Sequence, residues 1–180
     1  MVDWSPTPVM QRTQPLPQIV PLGRQHLAGF HHAVDRVARE GRYLAMLEAP
    51  PFTRTRRIVL DSLKDGGVHL VALVDQEVVG WCDLRLKSAA TLRHSAILGM
   101  GVVAEHRHRG LGRRLLVEAL ARASNLRRIE LTVRADNTAA IALYRSCGFL
   151  VEGICCSYLR HEGREYDALL MARVAPLPAD

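Results

Sequence analysis

The chain has 180 residues, 48% of them hydrophobic and 23% charged, and its 24 Lys and Arg against 18 Asp and Glu leave a formal charge of +6. A chain of this length buries roughly 70% of its unfolded surface on folding, so no disulfide or metal staple is needed, and disordered and mini-protein classes are excluded. The longest nearly uninterrupted apolar stretch, residues 97–104, falls far short of the ~20 residues of a membrane helix, and the positive charge points to nucleic acid or to a phosphate-bearing ligand.

Residues 1–16 are rich in proline and poor in apolar anchors, which predicts an extended tail ahead of one domain over 17–174, with a short second tail over 175–180. The start lacks a basic segment followed by an apolar one and does not read as a secretory signal, so the cytoplasm is the expected compartment. Leu27, Phe30, Val34 and Val37 recur at three- and four-residue steps and predict a helix over 25–40 that Gly41 ends. A second helix is expected over 54–64, between Pro50-Pro51 and the turn Asp65-Gly66-Gly67. The period then becomes that of strands. Residues 68–74 and 77–86 read as a hairpin about Asp75-Gln76, and 95–103 completes an antiparallel meander.

From Leu111 the pattern is helical again, with Leu115, Leu116, Ala119, Leu120 and Ala123 on one stripe and Arg113, Arg114, Glu118 and Arg122 outside it. Over 128–133, Ile129, Leu131 and Val133 alternate with Glu130 and Thr132 as in a strand. Asp136-Asn137-Thr138 supplies start chemistry for a helix over 139–146 that Gly148 stops, and strands over 150–159 and 164–174 follow, joined at His161-Glu162-Gly163. The order of elements gives a mixed α/β sheet with one right-handed crossover about the helix after Gly110.

The four cysteines show no CxxC pair and read as reduced, mostly buried thiols; His31 with His32, and His106 with His108, lack the spacing of metal ligands, so no metal is expected. The densest chemical signal is Arg107-His108-Arg109-Gly110-Leu111-Gly112-Arg113-Arg114, between a strand and a helix. Two glycines let backbone N–H groups approach a ligand, and the unpaired amides and dipole of a helix start favour an anion. No Gly-Lys-Ser or Gly-Lys-Thr follows, which removes the Walker loop, and Leu115 stands where a dinucleotide fingerprint needs a small residue.

Arg107, Gly110 and Gly112 match the Arg/Gln-x-x-Gly-x-Gly/Ala pyrophosphate loop of the Gcn5-related N-acetyltransferases. Leu98-Gly99-Met100-Gly101-Val102-Val103 upstream, residues 137–144 and Gly148-Phe149 downstream stand at that family's spacing, so the chain resembles it over about residues 18–174. The closing hairpin is similar to that of bacterial members that acetylate ribosomal proteins or free amino acids. The resemblance implies an α/β fold with a mostly antiparallel sheet of about six to seven strands flanked by helices, and a splayed central strand pair. It also implies acetyl-CoA as cosubstrate and direct transfer to a primary amine, on a small molecule or a peptide. In that reading the main chain at Val102 and Val103 pairs with the pantetheine arm, and the amides of Arg107, His108, Arg109, Gly110, Leu111, Gly112 and Arg113 hold the pyrophosphate. Asn137 bonds the cofactor, and Tyr144 protonates the departing thiolate as general acid.

The proton acceptor departs from the pattern, because Thr132 occupies the position where N-terminus-modifying relatives carry Glu. Glu130, on the same strand face, and His94, at the entry to the central strand, are the candidate bases. Two rival readings stay open: a non-catalytic acyl-CoA-binding module, which an intact Tyr144 argues against, and an RNA- or ribosome-associated protein. The second is weakened by a composition only 5% aromatic, which leaves few stacking platforms. The acceptor is open, as is the choice between monomer and homodimer.

Overall fold

The computed structural model describes residues 16–176, and both tails expected from composition lie almost wholly outside them. Seven strands form one sheet in the order β1-β2-β3-β4-β5-β7-β6. They are β1 Gln18–Pro21, β2 Val68–Val74, β3 Glu77–Leu86, β4 Ser95–Val102, β5 Arg128–Arg134, β6 Leu150–His161 and β7 Arg164–Val174. The helices are α1 Leu27–Arg39, α2 Phe52–Lys64, α3 Leu111–Arg122 and α4 Thr138–Ser146. All pairings are antiparallel except β4 with β5, which are joined through the crossover that carries α3.

Strand β1 has no counterpart among the elements expected from periodicity. Four residues ending in proline give no periodic signal, and its place at the sheet edge, against Leu70 to Leu73 of β2, is set by tertiary pairing. The hairpin of β2 and β3 turns at Asp75 and Gln76, both at positive φ (48° and 67°), the two-residue turn whose twist matches that of the strands. Helix α4 ends where Gly148, at φ 86°, lets the Phe149 N–H reach back to the Tyr144 carbonyl at 3.1 Å.

Helices cover both faces. Phe30 of α1 meets Trp81 edge-on with ring centroids 5.9 Å apart, whereas Gly80, which points the other way, faces Leu115 of α3. Thus α1 and α2 lie on one face and α3 and α4 on the other, with Phe149, Leu70, Leu84, Leu115 and Leu116 among the fully buried side chains. Of the cysteines only Cys82 is buried; Cys147, at the end of α4, is half-buried, and on the edge strand β6 Cys155 is half-buried and Cys156 exposed. Among the described residues no helix is long and apolar enough to cross a membrane.

Candidate functional site

Strands β4 and β5 are paired for only three residues, Ser95 to Ile97 against Arg128 to Glu130, and then part. Beyond that point β4 keeps its ladder with β3 and, among the described residues, pairs with no strand on the other side. The Val103 N–H donates to the Val79 carbonyl at 3.0 Å, so by alternation the main-chain groups of Met100 and Val102 face the open slit. The expectation that Val103 also pairs with an extended ligand does not fit: its N–H is spent on β3 and its side chain is buried.

At the end of β4 a single 3-10 turn leads into the loop before α3. Gly110 is the residue before the first helical turn, at φ 75°, a left-handed conformation that costs a side-chain-bearing residue about 1–2 kcal/mol. No side chain caps the helix, and the first intrahelical bond runs from the Arg114 N–H to the Gly110 carbonyl. The amides of Leu111, Gly112 and Arg113 therefore have no partner inside the helix, and those of His108 to Gly110 adjoin them in the loop. A Cβ on Gly112 would stand 3.4 Å from Leu143 and 3.5 Å from Met100, so this position is kept bare where the loop meets the slit.

Arg107 plays a different part from the one its motif position suggests. Its N–H donates to the Ala104 carbonyl, its Nε to the Val102 carbonyl at 2.8 Å, and its two terminal nitrogens to Glu40, while the guanidinium stacks on Tyr43 at 4.4 Å. Its amide and all three guanidinium nitrogens are engaged within the protein, so the ligand-facing row of amides begins at His108. Arg113 reaches Ser146 through Nη1, and Arg109 is exposed on the loop.

Across the slit, Asn137 caps α4 by accepting the Ala140 N–H on Oδ1 at 3.2 Å, which leaves its amide NH2 free to donate. Two turns along the helix, Tyr144 packs against Phe149, and its hydroxyl bonds to no described residue. Burial pushes its phenol well above the ordinary value, with Cys82 adding to the effect, so the proton stays in place at neutral pH. These groups share one cavity of about 430 Å³, which Tyr144, Asn137, Thr132, Val102, Gly110 and Gly112 help to line. Val37, Tyr43, Leu44 and Ala45 close its far side, so the cavity passes through the sheet from the α3–α4 face to the α1 face.

Neither Glu130 nor His94, the two bases expected from the sequence, reaches this cavity, nor does any described carboxylate line it. Glu130 sits beside the paired end of the strands, bound to Lys87 at 2.5 Å and to Arg128 at 2.9 Å. Burial alone would raise its carboxyl, but the two cations outweigh it and hold the group below its usual range. His94 is exposed in the turn before β4, where its carbonyl accepts from the Arg127 and Arg128 amides. Both stand at the closed end of the slit. Ala45 lines the cavity without having stood out in the sequence, whereas Val37 stood out only as a core position of the first helix and Gly99 only as part of the stretch that carries the family spacing.

Residues 32–149 match the model of the acetyltransferase (GNAT) family. The L-amino acid N-acetyltransferase AaaT of Escherichia coli is 35% identical over 114 residues, 62% of this chain and 70% of that protein. An N-alpha-acetyltransferase of Sulfurisphaera tokodaii is 32% identical over 157 residues, 80% of this chain and 87% of that protein. A phosphinothricin acetyltransferase of Sinorhizobium meliloti, solved in complex with acetyl-CoA, superposes with a TM-score of 0.83 over 89% of each chain at 19% identity, a likeness of fold. The chain belongs to the GNAT family and is an acetyltransferase.

Proposed function

We propose that the protein transfers the acetyl group of acetyl-CoA to an α-amino group, on a free amino acid or at the start of a peptide, by direct attack inside the cavity that crosses the sheet. One observation carries this reading: the unpaired amides at the start of α3, the unpaired edge of β4 and the Tyr144 hydroxyl all border the same 430 Å³ space. The residues fit acetyl-CoA. The amides of His108 to Arg113 would hold its pyrophosphate, the main chain at Met100 and Val102 its pantetheine arm, and the Asn137 amide would donate to it. Bound there, it supplies an activated acyl group and a thiol leaving group.

The chain's own residues then do three things. The bare Gly112 and the αL Gly110 let the amides close on the anion. The strand edge sets the acyl group at the point where β4 leaves β5. Tyr144, kept protonated by burial, gives its proton to the departing sulfur, which lowers the cost of expelling a thiolate whose acid has a pKa of about 8.5.

The α-amine of a peptide suits this chemistry because its pKa near 8 leaves roughly a tenth of it neutral at pH 7, against about one part in 2,500 for a lysine; the α-amine of a free amino acid, beside its own carboxylate, is more basic than the peptide's and leans harder on a proton acceptor. The names of the AaaT and Sulfurisphaera relatives support the same acceptor class. The test is a turnover screen with acetyl-CoA over the free L-amino acids, peptides with free N-termini, the same peptides blocked at the N-terminus but carrying lysine, and polyamines, read by thiol release. Turnover confined to α-amines is expected; turnover of blocked lysine peptides or polyamines alone would overturn the acceptor class.

A further inference from the structure

On the α1 face of the sheet, two rows of residues run across β2, β3 and β4 in register: Val71, Trp81 and Gly101, and beside them His69, Asp83 and Gly99. Gly99 and Gly101 both line the cavity, and the space their missing side chains leave is taken by residues of β3 just behind the lining. A Cβ on Gly101 would lie 2.3 Å from the Trp81 ring, and one on Gly99 would lie 2.9 Å from Asp83 Oδ1. The α1 side of the cavity is thus floored by bare backbone, with an indole and a carboxylate alongside it.

Asp83 is 7% exposed. Its Oδ2 accepts from Arg85 Nε at 3.0 Å, whereas Oδ1 accepts from no described residue and is not among the sealed polar atoms. A buried carboxylate oxygen with no donor, beside a cavity that opens opposite the amide row, lacks a cationic or N–H partner. Resting on the reading of the cavity as an acetyltransfer site, we propose that Asp83 is the acceptor-side carboxylate, which binds the incoming ammonium through Oδ1 past Gly99 and takes its proton.

The surroundings suit that task. Burial lifts the Asp83 carboxyl to about 6, against the pull of Arg85, which places it near the operating pH of a general base. The charged groups about it are few. Arg85 faces it from β3, His69 from β2, and β4 presents only Gly99 and, against Arg85, Ile97. His69 spends Nε2 on Ser62 of α2 at 2.9 Å; burial first and Arg85 second push it down to about 4, so it is neutral at pH 7. Cys82 points to the opposite face, its thiol raised by burial and by Asp83 itself.

The protons balance as follows. The ammonium gives one proton to Asp83, from which it passes to solvent. The freed lone pair forms the N–C bond as the C–S bond breaks, the sulfur takes the Tyr144 proton, and the second nitrogen proton restores Tyr144. Products are the N-acetylated amine, the free thiol and one proton.

The experiment compares the parent with Asp83→Asn, Arg85→Gln and Gly99→Ala, measuring acetyl-CoA binding calorimetrically and kcat/KM from pH 5 to 10 with the fastest acceptor of the screen. Asp83→Asn is expected to bind acetyl-CoA within about twofold of the parent and to lose roughly a hundredfold or more in kcat/KM at pH 7. Its rate should rise with pH only as the amine itself deprotonates. Arg85→Gln should keep transfer but move the acid limb above 6, a displacement that a merely structural role would not produce. Gly99→Ala should raise the acceptor KM several-fold with acetyl-CoA affinity unchanged. If the parent binds acetyl-CoA and transfers acetyl, but Asp83→Asn keeps the parental profile or Arg85→Gln leaves the limb in place, the assignment of Asp83 falls alone. A parent that binds no acetyl-CoA overturns the reading of the cavity, and this assignment with it.

Discussion

The two mouths of the cavity are built by opposite means. On the α3–α4 face the chain presents main-chain donors: a helix start with no side-chain cap, an αL glycine and a bare Gly112. On the α1 face it presents the absence of side chains on β4, against which residues of the next strand pack directly. A donor row made of consecutive amides demands glycine at set positions, so it leaves a motif. A wall assembled from α1, the segment after it, β3 and β4 leaves almost none.

Five substitutions bear on that contrast, in order of expected size. Gly112→Val would set a branched side chain between Leu143 and Met100 and block the amides; with charge-assisted bonds worth about 1.5–3 kcal/mol each, losing two should weaken acetyl-CoA at least a hundredfold by calorimetry. Binding at parental strength in a folded variant would remove the donor row from the site. Tyr144→Phe should keep acetyl-CoA affinity and lose about a hundredfold in kcat, since it removes a hydroxyl and almost no packing. Equal turnover would mean that the sulfur leaves without help from this phenol.

Gly110→Ala separates conformation from space. Nothing lies within 4 Å of where its Cβ would stand, so the cost is the positive φ alone: about 1–2 kcal/mol, or a Tm lower by about 2–8 °C, with affinity reduced less than tenfold. The smallest effects are expected from Glu130→Gln and His94→Ala, whose rate–pH profiles should overlay that of the parent because both residues stand at the closed end of the slit. Glu130→Gln should cost at most about 1 kcal/mol in denaturant melts at pH 7. Since the folded carboxyl is held below its unfolded value, that difference should vanish as the pH falls through the folded value. A hundredfold loss of turnover in either variant would move the proton acceptor to that end.

The ladder of elements was legible wherever periodicity ran long. The edges of β2, β3 and β7 fall where alternation and turn residues put them, whereas β1 was invisible because its pairing is remote and its four residues have no period of their own. Within the site, Gly110, Gly112, Asn137 and Tyr144 announced themselves through spacing. Arg107 shows the limit of motif reading: its amide, expected in the donor row, is spent on the Ala104 carbonyl, and Glu40, 67 positions away, holds its guanidinium. Asp83 sits in an alternating strand like any other inward residue, and only the register that sets it beside Gly99 gives it meaning.

The short seam between β4 and β5 also bears on how the chain assembles. Strands β1 to β4 pair only with one another and come from residues before 103; β5 to β7 pair only with one another and come from residues after 127; three residues per strand bridge the two sets. Each half-sheet draws its pairing from its own stretch of chain, and the seam, three residues per strand, is the thinnest pairing in the sheet. Because the cavity lies along that seam, a ligand seated in it acts as the missing rung between two half-sheets. Its binding energy should appear as protection of the Met100 and Val102 amides against hydrogen exchange and as a rise in melting temperature with ligand concentration.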